Sequence, residues 1–409
     1  MPDEIITRVL RLQGWVVANL WFHGAEEVHI RVESTSPWHT CGRCGTRTTK
    51  AYDHETRVVR DLPVSGRPVY LHVPQWRVEC HVCQAVTSER VALYGPHQTL
   101  TYRYEYWLAR LCEVATVSAV AQAEHLSWAT VVRVERKYLE LRKQAQRLEN
   151  ITEICIDEVA YAKGQKYVTV VSDLLTRKVL WVGKGRSKET LVAFFTLLGA
   201  EATAAITTVA MDMCAAYIAA VEEHAPEAAI VYDRFHIMKY VHAAVDQVRR
   251  DEQAAADQQG KLSLKKKRWV LLKREKNLKD SERPKLAELL QLNANLTAAY
   301  ILKEDFTLFF DCADMDSAVQ FLDDWVTRAL ASGLQPFKDL VEQLDRWRFN
   351  LLNYFIKPVS NGLAEAINNK INVIKRIAYG YRDLDFFMLK ILEHCGALPP
   401  LEQVLQTCQ

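Results

Sequence analysis

Seven side chains in this sequence have types and spacing that point to chemistry. Four are cysteines in two pairs, Cys41-Gly-Arg-Cys44 and Cys80-His-Val-Cys83, and three are acids far apart in the chain, Asp157, Asp212 and Glu365. Two CxxC knuckles offer four thiolates, a set that suits a tetrahedral Zn2+ ion in a structural role. Gly42 and Gly45 allow the tight backbone that turns amides toward sulfur. A redox CxxC would call for a βαβ context, which this stretch lacks. With four sulfurs completing the site, His81 reads as a bystander. The other cysteines (Cys112, Cys155, Cys214, Cys312, Cys395, Cys408) are scattered singly, as small apolar residues are, which excludes a disulfide scaffold.

Asp157 sits in the run Ile154 to Ala160 (ICIDEVA), where an acid is costly to bury unless it is paired or metal-bound. Its neighbour Glu158 should point to the opposite face of a strand, so a solvated or salt-bridged role is expected for it. Glu365 lies in Pro358 to Tyr381 (PVSNGLAEAINNKINVIKRIAYGY), among apolar, amide and basic residues. Taken alone it reads as a solvated, salt-bridged carboxylate.

The surrounding elements change that reading. Asn361 and Gly362 can start a helix; Leu363, Ala366, Ile367, Ile371 and Ile374 recur at helical spacing and predict a buried face beside Glu365; Gly380 is the expected stop. From Ile151 the texture is α/β. Strands are expected at 154–160, 167–172 and 178–182, then a helix at 187–198 capped by Ser187. A strand at 205–211 ends on Asp212, and a helix at 214–224 leads to a strand at 228–232 ending at Asp233-Arg-Phe-His236. Three strands, helix, strand, helix, strand is the order of an RNase H-like fold. By analogy at the level of the fold, an acid on the first strand and one just after the fourth meet at one end of that sheet. Residues 237–357 read as an all-α insertion broken near Gly260 and Pro284, which places Glu365 on the next core helix as a third acid.

Upstream, β-rich pieces between the cysteine pairs, notably 67–79, suggest a zinc ribbon with an enlarged central excursion. Val117 to His125, a turn at Leu126-Ser127, and Trp128 to Leu139 form a helix-turn-helix pattern whose second helix carries Arg133, Arg136 and Lys137 as DNA-binding candidates. Many helical hairpins look like this without touching DNA; the ribbon upstream favours the DNA reading. The expected domains are a zinc-ribbon-type domain at 1–95, a helix-turn-helix domain at 96–150, the first part of an RNase H-like catalytic core at 151–236, the helical insertion at 237–357, and the C-terminal part of the core, with the third acid, at 358–409.

The 409-residue chain has a net charge of +2, so it is no polycation, yet Lys261 to Lys279 holds nine Lys or Arg against one acid, Glu275. A solvated helix face and a DNA contact are equally good readings of that run. No N-terminal targeting pattern or bilayer-length apolar run occurs, so a soluble, intracellular protein with no membrane partner is expected.

Several blocks carry a family resemblance: Ile156-Asp-Glu158, Met211-Asp212, Asp233-Arg-Phe-His236, Ser360-Asn-Gly-Leu-Ala-Glu365-Ala-Ile-Asn-Asn369, Ala378-Tyr-Gly-Tyr381, the CxxC pairs and the helix-turn-helix. Over essentially its whole length the chain resembles the DDE transposases of the ISL-three family of bacterial insertion sequences, most specifically around Glu365. One departure is Cys214, where the family commonly has serine. The resemblance implies a catalytic triad of Asp157, Asp212 and Glu365. Such carboxylates suit two Mg2+ ions that promote in-line displacement at phosphorus. The expected enzyme binds the terminal inverted repeats of an insertion sequence, cleaves DNA there, and joins the released end to target DNA. Asp157 and Asp212 would hold the metals, and Glu365 would bind one ion or orient the nucleophile. Lys370, Lys375 and Arg376 are candidate phosphate contacts, and His236 either approaches the scissile phosphate or caps and packs a helix. A homodimer at the bacterial nucleoid, in the cytoplasm, is expected from the need to join two ends. Two rivals stand: a domesticated, non-cleaving DNA-binding regulator, and an RNase H-like nuclease without strand transfer.

Overall fold

A computed structural model describes residues 2–24, 26–258, 268–358 and 362–407. Gly260, the 261–267 part of the basic run, Ser360 and the expected helix-starting Asn361 lie outside these residues. The chain divides into two compact units, Met1–Ala145 with Pro399–Gln409, and Gln146–Leu398. The expected last piece, 358–409, therefore splits: its final helix joins the N-terminal unit, where Leu401 is buried with Leu100, Tyr104 and Leu108.

The N-terminal unit begins with α1 (Pro2–Leu10), β1 (Trp15–His23) and β2 (Glu27–Ser34), followed by the short β3 (His39–Thr40) and β4 (Arg47–Thr48). A long hairpin follows, β5 (Ala51–Val64) and β6 (Arg67–Glu79), and then β7 (Val86–Ser88). The sheet runs β1-β2-β6-β5, with β7 on β6, while β3 and β4 form their own pair. Ser65 and Gly66 both take positive φ (51° and 75°), the two-residue turn whose twist matches that of the hairpin strands. Alternation along the strands buries Val28, Ile30, Val69, Leu71 and Val73 on one face.

Three helices complete the unit: α2 (Tyr102–Val114), α3 (Val117–Ala123) and α4 (Trp128–Ala145). Thr101 and Thr116 cap the first two, and Ser127 Oγ accepts from Thr130 N at 3.1 Å to start α4, as the turn at 126–127 predicts. Asp61 on β5 is fully buried and accepts from Thr101 Oγ1 and Arg103 Nε, both at 2.7 Å, which ties the sheet to α2.

The second unit has a sheet of order β10-β9-β8-β11-β12. Its strands are β8 (Glu153–Ala162), β9 (Lys166–Asp173), β10 (Val179–Lys184), β11 (Thr208–Met211) and β12 (Ala229–Tyr232). The first three are antiparallel neighbours, and β11 lies parallel to both β8 and β12. Helices α5 (Lys188–Leu198), α6 (Ala200–Ala204) and α7 (Ala215–His224) connect the strands. Ser187 caps α5 as expected, and α6 takes up chain that the sequence reading left unassigned, so β11 starts later than predicted.

After β12 the described chain is helical: α8 (Arg234–Gln258), α9 (Arg268–Leu272), α10 (Arg283–Leu292), α11 (Ala294–Phe309), α12 (Met315–Ala331) and α13 (Gln335–Leu352). The break expected near Pro284 is present between α9 and α10, and Pro284 itself occupies the first turn of α10, where proline is tolerated. Then come α14 (Gly362–Ile377), α15 (Leu384–Cys395) and, in the other unit, α16 (Leu401–Thr407). On α14 the buried residues are Ala364, Ile367, Ile371 and Ile374. Ala366, expected inside, is exposed, and Ala364 takes that place. The helix ends with Gly380 N donating to Lys375 O at 2.8 Å, and Tyr379 as well as Gly380 takes positive φ (52° and 95°). No helix among the described residues is long and apolar enough to cross a membrane.

Candidate active site

The β8–β11 register pairs Ala210 with Cys155, so two residues further on Asp212 comes level with Asp157. Cys155, Ala210 and Ala364 pack together as a patch of small side chains that seats the first turn of α14 against the sheet. Glu365, the next residue, is thereby held beside the two aspartates. The three acids line one cleft of about 610 Å³ with Glu158, Asn368, Asn369 and residues of α8. They share this lining but do not form a tight knot: the described donor groups whose ligand atoms all fall within 4.8 Å of one another are Cys41-Cys44-Cys80-Cys83 and His23-Glu27-His29.

Asp157 is clasped on both oxygens. Glu158 N donates to Oδ1 at 2.7 Å and Asn368 Nδ2 donates to Oδ2 at 2.8 Å. Burial nevertheless raises its pKa above the ordinary aspartate value; those two hydrogen bonds oppose the rise and the charge of Asp212 adds to it. Asn368 Oδ1 is buried with no hydrogen-bond partner. Such an orphan acceptor beside a strained carboxylate is what a cation would satisfy, and hard oxygen donors suit Mg2+.

Glu158 lies on the opposite sheet face from Asp157, as alternation requires, and is ion-paired to Arg186 at 3.1 Å. It still lines the cleft, where burial raises its pKa against the pull of Arg186. The sequence reading kept it out of the site; β11 stops before this level, so β8 here is paired only with β9.

Helix α8 starts directly after β12 and turns Phe235, His236, Lys239, Tyr240 and Ala243 toward the cleft. Asp233 begins it by accepting from Phe235 N at 2.8 Å, and its other oxygen lies 3.2 Å from His236 Nδ1. That carboxylate raises the pKa of His236 despite burial. His236 is thus anchored at a helix start and lines the same cleft as the acids.

The cations after Glu365 divide. Lys370 Nζ donates to His394 O at 3.0 Å and Lys375 Nζ to Ala160 O at 2.6 Å. Arg376 is exposed, and three turns beyond Glu365 it returns to the same side of α14. In the helix-turn-helix, Arg133 and Lys137 reach Glu105, a fully buried acid on α2, at 3.2 and 2.6 Å, while Arg136 is half-buried. Sequence reasoning missed Asn368, Asn369, Lys239, Tyr240 and Phe235 as cleft residues. A signal existed: Asn368 and Asn369 stand three and four residues after Glu365, and Lys239 and Tyr240 three and four after His236, the spacing that shares a helix face.

The four cysteines converge as the spacing predicts. Cys41 Sγ lies 3.6 Å from Cys83 Sγ, and Cys44 Sγ 3.4 Å from Cys80 Sγ. One pair sits in the β3–β4 turn and the other between β6 and β7. A side chain at Gly42 would collide with Ser88 O, at 2.2 Å, and Gly45 needs its positive φ of 76°. Hydrogen bonds, first from the Cys44 backbone and then from the Thr87 hydroxyl, lower the Cys41 pKa to about 6. Burial and the other sulfurs push Cys83 up to about 12. Four thiols crowded so that they cannot all ionise unaided fit a zinc ion, which stabilises every thiolate.

Comparison with known proteins agrees along the chain. Residues 37–83 match the zinc-finger of transposases IS204/IS1001/IS1096/IS1165, residues 93–139 the helix-turn-helix domain of transposase family ISL3, and residues 154–391 the transposase domain of that family. The chain is 36% identical over 365 residues to the transposase for insertion sequence element IS1001 of Bordetella parapertussis, covering 88% of this chain and 90% of that protein. It is 30% identical over 389 residues to the transposase for insertion sequence element IS1557 of Mycobacterium tuberculosis, covering 88% and 87%. The chain belongs to the transposase family ISL3.

Proposed function

We propose that this protein is an insertion-sequence transposase of the DDE type, with Asp157, Asp212 and Glu365 as its catalytic acids in an RNase H-like core. One observation carries the reading: acids from β8, the end of β11 and α14 line a single cleft. The sheet order, with β8 central and β11 and β12 added in parallel on one side, supports the RNase H-like assignment. Of the five proposed domains, 1–95 and 96–150 fall in the N-terminal unit, apart from the last few residues of the latter, and the catalytic core with its insertion falls in the second; residues 399–409 go with the N-terminal unit.

Asp157, Asp212 and Glu365 would hold Mg2+, which supplies charge neutralisation at the scissile phosphate and a more acidic attacking water. Asn368 fixes Asp157, and Glu365, at the exposed lip, is placed to orient the nucleophile. Lys239 adds positive charge for a bound phosphodiester, and Asp233 keeps His236 protonated to higher pH than an ordinary histidine. Water attacks phosphorus at the element's end and frees a 3′-hydroxyl. That hydroxyl then attacks a target phosphodiester, whose own 3′ oxygen leaves. The zinc ribbon and helix-turn-helix would read the terminal inverted repeats, and two copies would hold two ends.

The test is incubation of the protein with labelled end DNA, a target plasmid and Mg2+. Joined products with two ends in one complex are expected; nicking alone would indicate a nuclease, and binding alone a regulator.

A further inference from the structure

The N-terminal sheet carries a second cluster of donor groups, apart from the cysteines. His23 at the end of β1 pairs with Glu27 at the start of β2, and Trp21 pairs with His29. On the other side β2 runs parallel to β6, with His29 beside Tyr70. Residues two apart share a face. Trp21, His23, Glu27, His29, Tyr70 and His72 therefore stand together, opposite the face that buries Val28, Ile30, Val69 and Leu71.

One carboxylate oxygen is the vertex of this cluster. Glu27 Oε2 lies 3.2 Å from His23 Nδ1 and 3.3 Å from His29 Nε2, and the three donor atoms all lie within 4.8 Å of one another. A tetrahedral zinc ion with bonds of about 2.0–2.1 Å sets neighbouring ligand atoms about 3.3–3.4 Å apart. The second nitrogen of His29, Nδ1, is 2.8 Å from His72 Nε2, and the Trp21 and Tyr70 rings stack on its imidazole at centroid distances of 5.6 and 5.1 Å. A partner on the other nitrogen that fixes tautomer and ring orientation is the usual support of a metal-bound histidine. A plain pair of imidazole–carboxylate hydrogen bonds would account for His23 and Glu27 but gives no reason for the third imidazole behind His29.

We propose that His23, Glu27 and His29 bind a divalent ion of the zinc class, with His72 as the positioning residue, at a site separate from the four-cysteine ribbon. Two imidazoles and one carboxylate favour zinc over magnesium. The His23 side chain is 79% exposed, which leaves an entry path and an open fourth position for water. An ion here clasps the β1–β2 hairpin tip to β6 through His72.

The test titrates Zn2+ by calorimetry into the full chain with its ribbon zinc in place, in an Asp157→Asn, Asp212→Asn, Glu365→Gln background that keeps added ions out of the catalytic cleft, and repeats the titration with Co2+. One further equivalent per chain is expected when His23, Glu27, His29 and His72 are wild type, and its cobalt form lacks the thiolate-to-metal charge-transfer absorption that marks the ribbon. His23→Ala, at an exposed position, and Glu27→Gln should weaken the added equivalent by tenfold or more. His72→Ala should weaken it by about 10–100-fold, as loss of a supporting partner does. No further equivalent with those four residues wild type, or one that survives His23→Ala and Glu27→Gln unchanged, would overturn the proposal.

Discussion

Two hairpin turns bring Cys41 and Cys44 to Cys80 and Cys83, whereas Asp157, Asp212 and Glu365 meet only because a five-stranded sheet and a distant helix close on one another. The sulfurs stand 3.4–3.6 Å apart, half of them buried among tight backbone bends. The acids are spread around a cleft of about 610 Å³. The ribbon site draws its ligands into one knot that suits an ion held for the sake of the fold. The cleft is positioned by the packing of sheet and helix, and burial of Asp157 there disfavours its charge.

The largest contrast between the two regions should come from metal removal. Structural zinc contributes apparent binding energies of about 10–16 kcal/mol in small zinc domains. Chelation, or Cys80→Ser, should therefore unfold the ribbon and abolish specific end binding in a mobility-shift assay, while melting of the catalytic unit followed by hydrogen exchange stays unchanged. Intact end binding without zinc would show that the ribbon folds without its ion.

A smaller effect is expected at Asn368. Removing a group that orients a ligand typically costs about 10–100-fold. Asn368→Ala should lower end cleavage by that factor and raise the Mg2+ concentration needed, with end binding preserved. Unaltered cleavage and Mg2+ dependence would remove Asn368 from the site.

A smaller effect again is expected at Arg376. Arg376→Ala should weaken DNA binding uniformly across sequences and reduce the salt dependence by about one phosphate contact. Lys370→Ala should change that slope less, because the bond to His394 O holds its ammonium toward α15. Equal slopes for the two variants would mean that helix side is irrelevant.

The smallest effect concerns stability and pH. The folded-state pKa of Asp157 is raised, so between its unfolded and folded values the native state holds the extra proton. The stability this group contributes is full below the unfolded value, near 3.9 for a free aspartate, and is lost as pH rises through the folded value. In metal-free protein at neutral pH, Asp157→Asn should therefore raise Tm, by about 2–4 °C for each kcal/mol relieved. Mg2+ should raise Tm in the wild type and much less in the variant. A variant that melts lower without metal would contradict the burial cost.

The difference in assembly also explains what could be read beforehand. A CxxC turn encodes its geometry within four residues, so the zinc site was legible in full. The acids were singled out through the order of elements around them and through the family motifs that contain them, and that order was clear because Ser187 caps α5 and apolar runs mark each strand. What stayed hidden depended on register and contact. Glu158 obeys alternation yet lines the cleft, where β11 has ended and β8 continues paired only with β9. The carbonyls of His394 and Ala160 beside Lys370 and Lys375, and the buried Glu105 between Arg133 and Lys137, come from other elements and leave no local signal. No local pattern names a partner brought from another element, and the return of α16 to the N-terminal unit is hidden for the same reason.

If Asp157, Asp212 and Glu365 form one catalytic site, Mg2+-dependent cleavage of labelled end DNA must need all three. Asp157→Asn, Asp212→Asn and Glu365→Gln proteins, each checked for unchanged end binding, should each lose about a thousandfold or more in rate, because metal-assisted displacement supplies several kcal/mol. Any one of them cutting at the wild-type rate would rule out the triad.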